Sequence, residues 1–532
     1  MLDSRRLVLI IILLIAVAYL NSLSVYFIWD DYSSVVSNAN IRSLSLRNIF
    51  KPLYSDDSSN IAKTPLYYRP LQVLSYIFDY RVWKLNPFGY HITNIILHTA
   101  NALLLYLLLL LLFKDRVLAF CGSSLFGIHP VFTSSVTYIS GRTDILSLFF
   151  LLAMLIAFIK SIEGSKLKTF FYCLSLFCSF LLLLSKEIGM LGILFLITLD
   201  KLILKYSVTK IRNLIYAPFI LVFLSWQYLR PSAAPGFHTA VTNPQEILLG
   251  FLTLLKGLGI YTLLAIIPFQ MRMGRSIAVI STLQDKWVYV SLAFLIVIIA
   301  LYILGLRKNK QAVFGLIWFY LPLFILLFFN YLFGKRGNEI LLPEHNLYFC
   351  YIGLLIFVFS IIGGLKFQDN AKKYLAATFL FFLVFYGGLT ISENFIWHDE
   401  VRFFERNIKR NQDSVFNFVA YSNLGFAYER KEKFKQAEES FRLAAQRSQG
   451  NPYFYNTLAT FYIRNKDFDR ALKTLMFSLE LDKNFYNTYF LLGIVYANKG
   501  NAIEARRNFE KALLLNPSDS TSKRYLEALS QK

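Results

Sequence analysis

The sequence predicts an all-α protein in two parts, a multi-span transmembrane body followed by a soluble helical repeat domain. Three observations predict it. Of the 532 residues, 56% are hydrophobic, and the mean hydropathy of +0.48 is far from that of a soluble globular chain. Apolar runs long enough to cross a bilayer, which takes about 20 residues each, dominate residues 1–392 and then stop. Beyond them, residues of one kind recur 34 positions apart, as at Tyr421, Tyr455 and Tyr489.

The net charge of +22 raises the question of nucleic acid. Many of the Lys and Arg residues sit in short loops between apolar runs, where such charges set topology by the positive-inside rule. No segment carries the basic-aromatic pattern of a nucleic-acid module, so no nucleic-acid partner is expected. Cys121, Cys173, Cys178 and Cys350 lie in apolar segments without metal-ligand spacing. They read as small residues buried in lipid, and the repeat domain relies on no disulfide.

At the N-terminus, Arg5 and Arg6 precede an apolar run in which Ala16-Val17-Ala18 mimics a signal-peptidase site. The run continues to Trp29 and ends on Asp30-Asp31, which predicts an uncleaved first span with a cytoplasmic N-terminus. A polar segment follows to residue 89, with amphipathic stretches at Leu44–Tyr54 and Leu71–Trp83. Further spans are predicted at about 90–113, 117–136, 144–160, 169–185, 188–204 and 213–229.

Residues 247–267 are apolar but interrupted by Lys256 and Gly257. If they spanned, Arg307-Lys308-Asn309-Lys310 would land outside, against the positive-inside rule. A surface or re-entrant segment is therefore expected there. Spans at about 287–306, 312–333, 346–365 and 374–392 complete a set of about eleven, and the C-terminal domain falls outside the cytoplasm.

A polar linker is expected over 393–416. In the domain after it, the 34-residue spacing relates Leu424, Leu458 and Leu492, and Gly425, Ala459 and Gly493. It also relates Tyr428, Tyr462 and Tyr496, Ala437, Ala471 and Ala505, and Phe441, Leu475 and Phe509. Small residues let paired helices approach while the aromatics fill the groove, which is the signature of tetratricopeptide (TPR) repeats. Three repeats are predicted, at 418–451, 452–485 and 486–519, with Lys523–Ser530 in a polar capping helix.

With this topology, polar clusters gather at the outer face. They are Asp30-Asp31-Tyr32, Tyr68-Arg69-Pro70, His129-Pro130 with Gly141-Arg142-Thr143-Asp144, Lys186-Glu187, and Pro343-Glu344-His345-Asn346. Ionisable residues at bilayer depth are costly and are functional candidates by default. Each has a bland reading too: an interfacial stop for Asp30-Asp31, a headgroup anchor for Arg69, a self-paired turn for Lys186-Glu187. His98, Asn94 and Asn101 share helical spacing and predict interhelical hydrogen bonds rather than ligation.

Two carboxylates with Arg and Lys at a membrane surface suit glycosyl transfer from a lipid phosphate. A carboxylate can take the acceptor proton, a single base opposite the leaving group gives inversion, and cations stabilise the departing phosphate. A divalent cation is compatible with this chemistry but not required by it. A non-enzymatic membrane scaffold, recruiting partners through its TPRs, is the competing reading. It explains neither the number of spans nor the clustered charges.

Trp29-Asp30-Asp31-Tyr32, Tyr68-Arg69-Pro70-Leu71, Gly89-Tyr90-His91-Ile92-Thr93-Asn94 and Leu97-His98 resemble the TMTC family of transmembrane and TPR-containing O-mannosyltransferases. So do His129-Pro130-Val131, Tyr138-Ile139-Ser140-Gly141-Arg142-Thr143-Asp144 and Leu184-Ser185-Lys186-Glu187. Glu344 with Leu347-Tyr348 resembles the family's Glu-Arg-x-Leu-Tyr stretch, with His345 standing where Arg is usual.

The resemblance implies a GT-C fold, a polyprenyl-phosphate-sugar donor and an extracytoplasmic active site. It implies Asp30 as base, Asp31 contacting acceptor or ordering the site, and Arg142, Lys186 and Arg69 on the donor phosphate. His129, Asp144, Glu187, Glu344 and His345 are further site candidates. The TPR domain would hold an acceptor protein or peptide. Three TPRs are fewer than animal members usually carry, which points to a bacterial relative using an undecaprenyl carrier at the inner membrane. In a eukaryote, the endoplasmic reticulum is the expected site.

Overall fold

The computed structural model describes residues 3–50, 68–163, 166–206, 211–229, 244–304, 308–365, 368–412, 414–517 and 519–530. The end of the amphipathic stretch expected at Leu44–Tyr54 lies outside the described residues. Two compact units divide the chain near residue 399. Both are built almost wholly of helices.

In the first unit, eight helices are long and apolar enough to cross a membrane, among the described residues. They are Ser4–Ser24, Pro87–Phe113, Ile139–Ile162, Lys168–Ser185, Pro244–Ile266, Lys310–Phe333, Glu344–Gly364 and Asp369–Trp397. A ninth is the pair Arg116–Gly127 and Pro130–Val136, bent by 46° where Pro130 cannot continue the helical hydrogen bonds. Local chemistry sets the turns. Asn86 caps the Pro87–Phe113 helix by accepting from the Phe88 amide, with Pro87 at its first position. That helix ends on Lys114 in the left-handed region, and Asp115 caps the next by accepting from Val117 and Leu118.

Four expected elements differ in the structure. Residues 187–204 are not one helix but a 3-10 turn, a helix over Gly192–Leu199 and a π turn over Asp200–Leu204. Leu214–Leu229 and Lys286–Ala300 are shorter apolar helices. The 247–267 stretch does form a helix of spanning length, Pro244–Ile266. Along its length, however, Thr253 accepts from the Ile280 amide, Lys256 donates to the Ala278 carbonyl and Tyr261 donates to the Pro343 carbonyl. It is thus stitched to the 276–280 and 343 segments, which also carry the site described below.

Those segments meet in an antiparallel pair, β1 (Ser276–Ala278) and β2 (Glu339–Leu341), in register Ser276 to Leu341 and Ala278 to Glu339. Close packing fixes the helices behind them. A Cβ on Gly315 would stand 2.6 Å from the Gly353 carbonyl, so these two backbones meet only because both residues are glycine. Trp318 is buried there, stacked on Phe195 at 4.8 Å and donating to the Phe349 carbonyl at 3.0 Å.

The second unit holds three helix pairs: Asn417–Arg430 with Phe434–Arg447, Pro452–Arg464 with Phe468–Leu481, and Tyr486–Asn498 with Ala502–Leu515. The helix Ser520–Ser530 follows. The 34-residue pattern explains the pairing. A Cβ on Gly425 would meet Phe441 at 2.7 Å, and one on Gly493 would meet Phe509 at 2.5 Å, so the small residue makes room for its partner's ring.

The polar linker expected over 393–416 is instead helical. The helix Asp369–Trp397 runs into it, and Glu400–Arg410 forms another. Val401, Phe403 and Phe404 give the latter a buried face, and Arg430 pairs with Glu400 across it at 2.6 Å. Two apolar residues per turn among charges read as polar on average, yet they suffice to dock a helix.

Candidate active site

The candidate residues meet where spans begin or end, at residues 24, 139, 185 and 344, and the segment Tyr138–Asp144 is their hub. Asp31 is buried, 1% exposed. One of its oxygens accepts from the Ser140 amide at 2.8 Å and the Ser140 hydroxyl at 2.6 Å; the other accepts from the Ile28 amide at 3.1 Å. Burial pushes its carboxyl up to about 7, against the pull of these three donors.

By closing on Ile28, Asp31 forces a tight turn. Trp29 takes up a left-handed conformation (φ 54°) that is uncommon for a bulky side chain. One acid is thus held as a clamp while its neighbour, Asp30, is exposed. Tyr138 stands beside both carboxylates and lies in a ring stack, 6.2 Å from Trp29 and 5.6 Å from Trp397.

Two ion pairs continue the wall. Arg69, at the N-terminal end of the helix Pro70–Trp83, reaches Glu187 at 3.0 Å, and Lys186 pairs with Asp144. The Lys186-Glu187 turn is therefore not self-paired: its two charges reach different elements in opposite directions. Burial opposes the charge on Glu187, but Arg69, with Lys186 beside it, outweighs that and holds its carboxyl below the ordinary range. The half-buried His345 lies within electrostatic reach of Asp144, Lys186 and Arg69.

Other candidates are placed differently. Arg142 is fully buried. It donates to Asn94 at 2.7 Å, Ser75 at 3.3 Å and the Tyr90 carbonyl at 2.8 Å, pairs with Asp79, and stacks over Tyr76. Each of its three guanidinium nitrogens thus already has a protein partner, which leaves less of this cation for the donor phosphate expected of it. His129, a further site candidate, is packed among aromatic rings. It is buried between Tyr351 (4.5 Å) and Tyr386 (4.6 Å), with Nε2 on the Ala265 carbonyl at 3.1 Å, and it anchors the bend before Pro130.

Glu344 is buried too, accepting from Arg275 Nε at 2.7 Å and the Arg272 amide at 2.9 Å. Neither arginine was anticipated. Their loop has no motif, and only the β1–β2 register, with the Leu342 amide donating to the Arg275 carbonyl at 2.7 Å, brings Arg275 to Glu344. The expected interhelical bonds do form: Asn94 donates to the Val136 and Tyr138 carbonyls, and His98 and Asn101 both meet the Tyr348 hydroxyl. Among the described residues, no three His, Cys, Asp or Glu side chains gather as a bound metal ion would need.

Known proteins match both units. Tetratricopeptide repeat models match residues 419–451 and 486–519. Human protein O-mannosyl-transferase TMTC3 is 24% identical over 555 aligned positions covering 97% of this chain. The chain is similar to protein O-mannosyl-transferases along nearly its whole length. Shorter stretches are closer in sequence: protein O-mannosyl-transferase F38B6.6 of Caenorhabditis elegans is 33% identical over 37% of the chain. Human TMTC1 is 36% identical over 32%. The chain covers 56% of TMTC3, 28% of F38B6.6 and 21% of TMTC1, so it spans little more than half of these relatives at most. All three are animal proteins and lend no support to a bacterial origin.

Proposed function

We propose that the chain is a membrane glycosyltransferase of GT-C type, moving a hexose, mannose by analogy with its relatives' names, from a polyprenyl phosphate to Ser or Thr hydroxyls of an extracytoplasmic protein. The observation that carries this reading is the division of labour between the two acids: Asp31 is buried and clamped to Ser140, in the segment whose Asp144 pairs with Lys186, while Asp30 is exposed.

In the reaction, Asp30 takes the proton of the acceptor hydroxyl as its oxygen bonds to the anomeric carbon. The bond from that carbon to the phosphate oxygen breaks, and the electron pair leaves on the polyprenyl phosphate, which gains a negative charge. Lys186 and Arg69 stabilise that charge, as positioned cations do where charge develops. Attack opposite the leaving group inverts the anomeric centre. Arg142 supports the wall from behind. The TPR unit offers the acceptor a solenoid surface suited to extended peptide.

The test is release of free polyprenyl phosphate by purified protein, supplied with an acceptor peptide and a panel of polyprenyl-phosphate hexoses. At least one donor is expected to turn over at a rate proportional to enzyme. Absence of turnover with every donor would leave the scaffold reading in its place.

A further inference from the structure

Three polar groups on the site wall are left without the partners their chemistry calls for. Glu187 spends one carboxylate oxygen on Arg69, while Oε1 is enclosed with no hydrogen-bond partner. Lys186 has three donors and spends one on Asp144. The imidazole of His345, half-buried beside Lys186 and Arg69, makes no hydrogen bond among the described residues. Enclosed oxygens without a donor are costly, and folded proteins leave few of them. One acceptor beside several unused donors is the complement of a ligand that joins an anion to a hydroxyl.

We infer that this cluster reads the donor in two halves: Lys186 and His345 donate to the bridging phosphate, and Glu187 Oε1 accepts a hydroxyl of the sugar. The inference rests on the proposed polyprenyl-phosphate-sugar donor and goes further, making Glu187 a sugar-selecting residue and His345 a phosphate ligand. A site built to bond a substrate hydroxyl discriminates strongly against ligands lacking it.

The experiment compares binding of a polyprenyl-phosphate hexose and of the same polyprenyl phosphate without sugar, to the full chain in lipid nanodiscs. Wild type should bind the hexose form more tightly, by roughly tenfold or more for a hydrogen bond to a charged group. In Glu187→Gln the amide carbonyl can stay on Arg69 while the NH2 group replaces the orphan acceptor with a donor. The hexose advantage should vanish there, with sugar-free phosphate binding unchanged. His345→Gln should weaken both ligands alike and preserve the advantage. A hexose advantage that survives Glu187→Gln, a His345→Gln variant that binds both ligands as wild type does, or no binding of either lipid by wild type would overturn the inference. If the binding pattern holds but no sugar reaches any acceptor, the proposed transfer fails and this site stands.

Discussion

Replacing Asp30 by Asn is expected to lower sugar transfer by about 10²- to 10⁴-fold, the usual contribution of a general base, with donor binding and thermal stability unchanged. The substitution keeps shape and removes only the ability to take a proton. Asp30 is exposed beside the Tyr138 hydroxyl and Asp31 carries the turn, so an Asn that still offers an acceptor oxygen to that hydroxyl preserves the local packing. Asp31→Asn should behave in the opposite way. Its new NH2 group would confront the Ser140 donors or the Ile28 amide, loosening the turn that holds Trp29 in its left-handed conformation. Melting temperature together with kcat for the two variants separates the roles. An Asp30→Asn protein with full turnover, beside an inactive but well-folded Asp31→Asn protein, would transfer the base to Asp31.

The second large effect concerns stability. Arg142→Met is expected to cost about 3–5 kcal/mol, the range for breaking a buried ion pair. It strands the Asp79 charge, which otherwise keeps only the Thr93 hydroxyl at 2.7 Å, and leaves Asn94 Oδ1 without its donor. Arg142→Lys should not rescue it, because one ammonium cannot reach Asn94, Asp79 and the Tyr90 carbonyl together. The double variant Arg142→Met, Asp79→Leu should regain much of the loss, since removing both members of a buried pair is often tolerated. Thermal unfolding of the detergent-solubilised proteins reads this directly. An Arg142→Met protein as stable as wild type but unable to bind donor would return Arg142 to the phosphate role read from its sequence.

Much of this was legible before any coordinates. The TPR unit was, because a 34-residue repeat writes the same packing contact three times, and Gly425 against Phe441 is that contact seen once. The polar clusters at span ends were legible because charge beside apolar runs is conspicuous. What each charge does was not. Arg142 and Lys186 look alike in sequence, yet one is enclosed with a protein partner on every nitrogen while the other spends a single donor on Asp144. The difference lies in partners such as Asp79 and Asn94, 63 and 48 residues away. Arg275 escaped notice for the same reason, its link to Glu344 being made by a strand pair of three residues a side. The 400–410 helix was missed because four apolar residues among seven polar ones average out as linker.

The most direct test of the account is the anomeric configuration of the product. Wild-type protein would be given a polyprenyl-phosphate hexose of known configuration and an acceptor peptide, and the linkage formed would be read from the one-bond C–H coupling at the anomeric carbon. One displacement with Asp30 as base gives a Ser- or Thr-linked hexose of the configuration opposite to the donor's. A product that retains the donor's configuration, or hexose released to water with none on the peptide, would contradict it.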